Sequence, residues 1–167
     1  MIINLEEILE NGLSLTLTEN PEIFPVLVEM REAGELHAVN PVTIALKAIR
    51  VRDLVEIEGI IETAFGLSCS RCLADFLLSV KTDFTLTFTK KISGYSNERA
   101  DEGQEITAEE TDMILYKGDK IHLRDAIQEQ IIFSIPFKPL CSEACKGLCM
   151  HCGSNLNETA CQCRPPL

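Results

Sequence analysis

A chain of 167 residues, 46% hydrophobic and 25% charged, is long enough to bury one core; with no Trp, that core falls to Ile, Leu, Val and Phe. The formal charge of −11 argues against broad phosphate binding, because affinity for nucleic acid comes largely from Lys and Arg. The opening MIINLEEILENG lacks the basic start and apolar run of a secretory signal, and no stretch approaches the roughly 18 apolar residues of a membrane span, so the expected location is cytoplasmic, with no membrane partner.

The first predicted element is a short helix in NPEIFPVLVEMREAG, capped by Asn20, opened by Pro21 and ended by Gly34. Pro25 is the discordant residue, since it falls near the end of the first turn. The period then changes: PVTIALKAIRVRDLVEIEGII reads as two strands joined at Arg52-Asp53. In the second of them Val55, Ile57 and Ile61 alternate with Glu56, Glu58 and Glu62. After Cys72, Phe76, Leu78, Val80, Phe84, Leu86 and Phe88 share one parity, and Ser79, Lys81, Asp83, Thr85, Thr87 and Thr89 take the other, as on a long half-buried strand.

No period survives from about 94 to 112, where seven acids between Glu98 and Asp112 face one base, Arg99. This reads as a mobile acidic connection; the sharper alternatives are docking of a basic partner and mimicry of RNA. MILYKGDKI reads as a strand or a hairpin around Lys117–Gly118–Asp119. HLRDAIQEQIIFSIPF reads as a helix with Leu123, Ala126, Ile127 and Ile131 on its apolar stripe and Pro136 stopping it. The expected fold class is α+β: a mainly antiparallel sheet with two helices over residues 1–137, then a small cysteine-rich zinc module over 138–167.

Six of the eight cysteines fall between Cys141 and Cys163, and the other two form Cys69-Ser70-Arg71-Cys72. In a reducing compartment such spacings favour metal ligation over disulfides. Cys149, Cys152, Cys161 and Cys163 supply four sulfurs from two short turns, and Gly153 suits a tight knuckle. Cys69, Cys72, Cys141 and Cys145 are then left for a second ion that staples the tail to the sheet. A single ion drawing on a different four, His151 among them, is the other arrangement the spacing allows.

A catalytic zinc keeps an open position and mixes His or Glu into its ligands, whereas four thiolates close the shell, so the expected ions are structural and the protein is not expected to be an enzyme. The competing enzyme reading is a thiol oxidoreductase at Cys69 and Cys72; both flanks have a strand period, unlike the helix start such a pair needs. His37 and His122 read as ordinary loop or helix-end residues. Arg71, Lys138, Lys146 and Arg164 stand beside the proposed ligands, either to compensate thiolate charge or to face phosphate.

CSRCL between strands, a helix ending in IPFKPLC, and then CKGLCMHCGSNLNETACQC resemble the YceD-like proteins of bacteria and plastids. The resemblance covers most of the chain in order, and it departs at Met150, where the family usually has Pro. It implies a non-enzymatic role in accumulation of large-subunit (23S) ribosomal RNA or assembly of that subunit, with precursor ribosomal RNA or a ribosomal protein as partner and no small-molecule substrate. The alternative is an adaptor that binds a basic ribosomal protein without touching RNA.

Overall fold

The computed structural model describes residues 1–90 and 113–163. The strands are β1 (Ile2–Asn4), β2 (Leu13–Glu19), β3 (Ala38–Val39), β4 (Val42–Val51), β5 (Leu54–Ser68), β6 (Asp75–Thr89), β7 (Met113–Leu115) and β8 (Lys120–His122). The α-helices among the described residues are α1 (Pro25–Glu32) and α2 (Arg124–Phe133). The larger sheet runs β2-β4-β5-β6-β7, with β3 added to the far end of β5; β1 and β8 make a separate pair. Pairing is antiparallel everywhere except β6–β7. The class is α+β as expected, with the cysteine-rich stretch at its C-terminal end.

β5 and β6 dominate. Each has 15 residues, and they pair from Leu54↔Thr89 to Ser68↔Asp75 without interruption. At about 3.4 Å per residue the hairpin is about 50 Å long, and its closed end carries Cys69 and Cys72. Its alternation is the one read from the sequence: Val55, Ile57, Ile61, Phe84, Leu86 and Phe88 are buried, while Glu56, Glu58, Lys81 and Asp83 face solvent. Gly59 lets the strands approach closely, because a Cβ there would overlap the Ala45 carbonyl and lie 2.8 Å from Phe84 Cζ. On the buried face, Ile44 and Leu46 of β4 meet Leu27 of α1 and Ile127 and Ile131 of α2 in one apolar core.

Two expectations are corrected and three strands are added. Asn20 caps only a single 3-10 turn, Pro21–Ile23, through Oδ1 accepting from the Glu22 N–H at 3.0 Å. The α-helix starts afresh at Pro25, because proline has no N–H to give to a helix running through from Pro21 but fits the first helical position. Phe24 has no capping side chain, so the Val26 N–H is taken by the buried Gln128 Oε1 of α2 at 3.0 Å. MILYKGDKI is no hairpin: β7 lies parallel on β6 and β8 antiparallel on β1, so Lys117–Gly118–Asp119 carries the chain between two sheets. Finally, β1, β2 and β3 are strands that the patterns above leave unassigned. The acidic stretch expected at 94–112 lies outside the described residues, as does Arg164.

Candidate metal centres

The first cysteine group forms where the β5–β6 hairpin closes. The Cys69 N–H donates to the Ala74 carbonyl and the Leu73 N–H to the Cys69 carbonyl, both at 2.9 Å. This turn points two sulfurs the same way. The Ser70 N–H donates to the Pro139 carbonyl at 2.8 Å, holding the chain that follows α2 alongside. Cys141 and Cys145 arrive on that chain, with Sγ–Sγ separations of 3.7 Å for Cys69–Cys145 and 3.6 Å for Cys72–Cys141. All four sulfurs lie within 4.8 Å of one another. Cys69, Cys72 and Cys145 are buried against Ala74, Phe76, Leu140 and Leu148; Cys141 is exposed.

The second group repeats the turn. The Gly153 N–H donates to the Cys149 carbonyl at 2.9 Å, and the Cys149 N–H to the Ser154 carbonyl at 2.8 Å. Cys161 returns to 3.5 Å from Cys152 and 3.2 Å from Cys149, and with Cys163 the four sulfurs again lie within 4.8 Å. Here Cys152 and Cys163 are exposed and Cys149 and Cys161 half-buried.

Both sets fit a tetrahedral ion. A zinc–sulfur bond of about 2.3 Å gives tetrahedral edges of about 3.8 Å, close to these separations, whereas a disulfide requires about 2.05 Å. Backbone N–H groups already aim at sulfur: Arg71 at Cys69 (3.5 Å), His151 at Cys149 (3.4 Å) and Cys163 at Cys161 (3.2 Å). Thiolates, the form that binds metal, are what such donors favour.

The thiols split accordingly. Burial pushes Cys69 up, but N–H donors from Cys141, Cys72 and Arg71 outweigh it and bring its pKa down to about 6. The Ser154 hydroxyl, followed by the Ser154 backbone N–H, lowers Cys152 to about 6. Sharing a proton with Cys72 raises Cys141 to about 12, and sharing one with Cys161 raises Cys163 to about 12. Four like charges this close do not ionise together unless a cation joins them. Zn²⁺ bound by four thiolates would supply rigidity and, with its shell filled, no water-activating chemistry.

The expected side chains divide among different tasks. Arg71 Nη1 donates to the carbonyls of Cys145 (3.0 Å) and Glu143 (3.4 Å), bracing the two halves of the first group. Lys138 and Lys146 are exposed, and the Lys146 N–H is held by Asn157 Oδ1 at 2.8 Å. Both sulfur groups assemble without His151. His37 Nε2 lies 2.6 Å from Ser68 Oγ and 3.1 Å from Asp75 Oδ1, at the exposed flank of the hairpin, and His122 ends β8. Cys69 and Cys72 sit in a turn between antiparallel strands, unlike the helix start that a thioredoxin-type pair occupies.

Three contributors escape sequence reasoning. Asn157 Nδ2 donates to Cys145 Sγ at 3.3 Å, Ser154 Oγ lies 3.2 Å from Cys152 Sγ, and Leu73 closes the first turn with φ +60°. The polar run Ser154–Asn157 between two cysteine pairs is a signal for the first two. A leucine gives no such signal.

The family model described as "Large ribosomal RNA subunit accumulation protein YceD" matches residues 57–166, which include all eight cysteines. The chain belongs to the YceD family. It is 27% identical over 142 residues to the chloroplastic Large ribosomal RNA subunit accumulation protein YCED homolog 1 of Arabidopsis thaliana, covering 74% of this chain and 44% of that one. The Zea mays protein of the same description is 28% identical over 144 residues, 75% of this chain and 49% of that one. An uncharacterised protein of Mycobacterium leprae is 25% identical over 116 residues, 70% and 49% of the two chains. The chain thus spans less than half the length of these relatives. No solved structure matches. Among the described residues, no helix is long and apolar enough to cross a membrane.

Proposed function

We propose that this protein is a non-enzymatic factor in the accumulation of large-subunit ribosomal RNA, acting in assembly of that subunit. The family match across both cysteine groups carries the reading. In it, residues 1–137 form a sheet scaffold and 138–167 a module closed by two structural zinc ions, one on Cys69, Cys72, Cys141 and Cys145, the other on Cys149, Cys152, Cys161 and Cys163. A cytoplasmic location and a precursor ribosomal RNA or ribosomal-protein partner belong to the same reading; a membrane and a small-molecule substrate do not.

The test has two arms. Protein purified under reducing conditions should contain about two zinc ions and release eight titratable thiols on chelation in denaturant, by four sulfurs per tetrahedral ion. Deleting the gene in its host should lower mature large-subunit RNA relative to small-subunit RNA, and the wild-type chain should restore it. Metal-free protein would overturn the zinc assignment, and an unchanged RNA ratio would overturn the function.

Direct RNA contact through Arg71, Lys138, Lys146 and Arg164 would show binding that falls steeply with salt and weakens in Lys146→Glu. The adaptor reading has an observation in its favour: the guanidinium of Arg71 is committed to two carbonyls, and the chain carries −11 overall.

A further inference from the structure

The turn at Gly153, φ +72°, has nothing within 4 Å of the place a Cβ would occupy, but the loop that follows it reaches across to the first cysteine group. Residues 154–160 lie between Cys152 and Cys161 and so belong to the second group by sequence. The Leu156 N–H donates to the Gly147 carbonyl at 2.9 Å, and Leu148 and Asn155 form an antiparallel backbone bridge. These contacts lay the loop along the chain that leaves Cys145. Asn157 then closes the gap: its Oδ1 accepts the Lys146 N–H at 2.8 Å, and its Nδ2 donates to Cys145 Sγ at 3.3 Å.

Neighbours fix the orientation of that amide. The Lys146 N–H can only donate, so the oxygen faces it and the nitrogen faces the sulfur. Asn155 Oδ1 accepts from both the backbone N–H (3.0 Å) and Nδ2 (2.8 Å) of Asn157, which holds the side chain in place. Cys145 is thereby gripped from two sides. Arg71 of the hairpin turn donates to its carbonyl at 3.0 Å, and Asn157 of the second group's loop donates to its sulfur. Among the described residues, no other side chain of this loop hydrogen-bonds a sulfur of the first group.

Outer partners of this kind hold metal ligands in position, and losing one weakens metal binding by roughly ten- to a hundredfold. A donor on a free loop would contribute little, because ordering the loop costs conformational entropy. Here the ordering comes from the far side, where Cys161 and Cys163 return the chain to Cys149 and Cys152. We propose that Asn157 couples the two metal centres. An ion in the exposed second group fixes the loop that presents Nδ2 to Cys145, and so strengthens the first group's hold on its own ion. By linkage, an ion in the first group strengthens the second by the same factor. The exposed ion thus regulates the attachment of the tail to the sheet. This rests on the zinc reading above and adds regulation to it.

The probe is zinc itself, drawn from the full chain by a chromogenic chelator. In wild type the first ion to leave, from the exposed group, should be held about tenfold more tightly than the lone ion of Cys145→Ser, whose first group cannot fill. Asn157→Ala should bring the wild-type value down to the Cys145→Ser value and should leave Cys145→Ser itself unchanged. Asn157→Asp, which keeps the Oδ1 acceptor for Lys146 and loses the donor, should act as Asn157→Ala does. A residue that merely shaped the loop would weaken the exposed group in both backgrounds and would be rescued by Asp. Equal affinities in wild type and Cys145→Ser, an Asn157→Ala effect that persists in Cys145→Ser, or full affinity in Asn157→Asp would each overturn the coupling while leaving both zinc ions assigned. Metal-free protein would instead refute the zinc reading, and the coupling with it.

Discussion

The two cysteine groups use the same turn and four sulfurs each but join different things. In the first, the paired cysteines lie 76 and 69 residues apart along the chain, and three of the four are buried against apolar side chains. In the second, all four fall between Cys149 and Cys163, and the group is largely in contact with water. Closing a loop constrains the chain more as the loop grows, although only logarithmically, and burial adds to that. The first group is therefore a tertiary clasp between sheet and tail, and the second shapes a local loop.

The sharpest way to break this contrast is to remove one sulfur from each group. Cys145→Ser should cost one zinc and free the tail from the hairpin, lowering the melting temperature by roughly 10 °C, since structural zinc contributes folding free energy directly. Limited proteolysis should then cut within 141–163. Cys161→Ser should also cost one zinc but lower the melting temperature by only about 2–4 °C, with cleavage confined to the stretch after Cys149. Equal losses in the two variants would abolish the distinction.

Acid should separate the groups next. Thiolates hold the metal, and Cys69 and Cys152, lowered to about 6, are the thiols that resist protonation furthest. Zinc should stay bound at neutral pH and leave only below about 6, where protons take even these two thiols and compete with the metal. A chromogenic chelator should record two steps, the exposed group emptying first. Release that is independent of pH would contradict the thiolate assignment. The smallest effect concerns the twin turns: Gly153→Leu should destabilise by about 1–2 kcal/mol through backbone strain alone, read as a small shift in the denaturation midpoint with both zinc ions retained.

Much of this was legible in the sequence where one physical rule dominated. The period of two in Phe84, Leu86 and Phe88 gives β6, and the stripe of Ala126, Ile127 and Ile131 gives α2, because each buries a single face. The 2+2 arithmetic placed the same cysteines together that the fold does, since leftover thiols have few ways to pair off. What escaped depends on contacts remote in the chain. β7 and β8 look like a hairpin locally, but each is claimed by a distant strand, β6 and β1. Pro25 read as a fault in one helix, and it is the first residue of another. The Leu13, Leu15 and Leu17 alternation of β2 was present but short, and it becomes decisive only once β4 lies beside it. Leu73 could not be read at all, because only its backbone angle sets it apart.

The wide separation within the first clasp has a consequence for synthesis. Cys69 and Cys72 leave the ribosome well before Cys141, and at roughly 5–20 residues per second the wait is about 4–14 s. For that interval the hairpin carries a half-made site that cannot close. On the zinc proposal, metal uptake there would be a late event in the life of each nascent chain, and a product interrupted before Cys141 would never complete it.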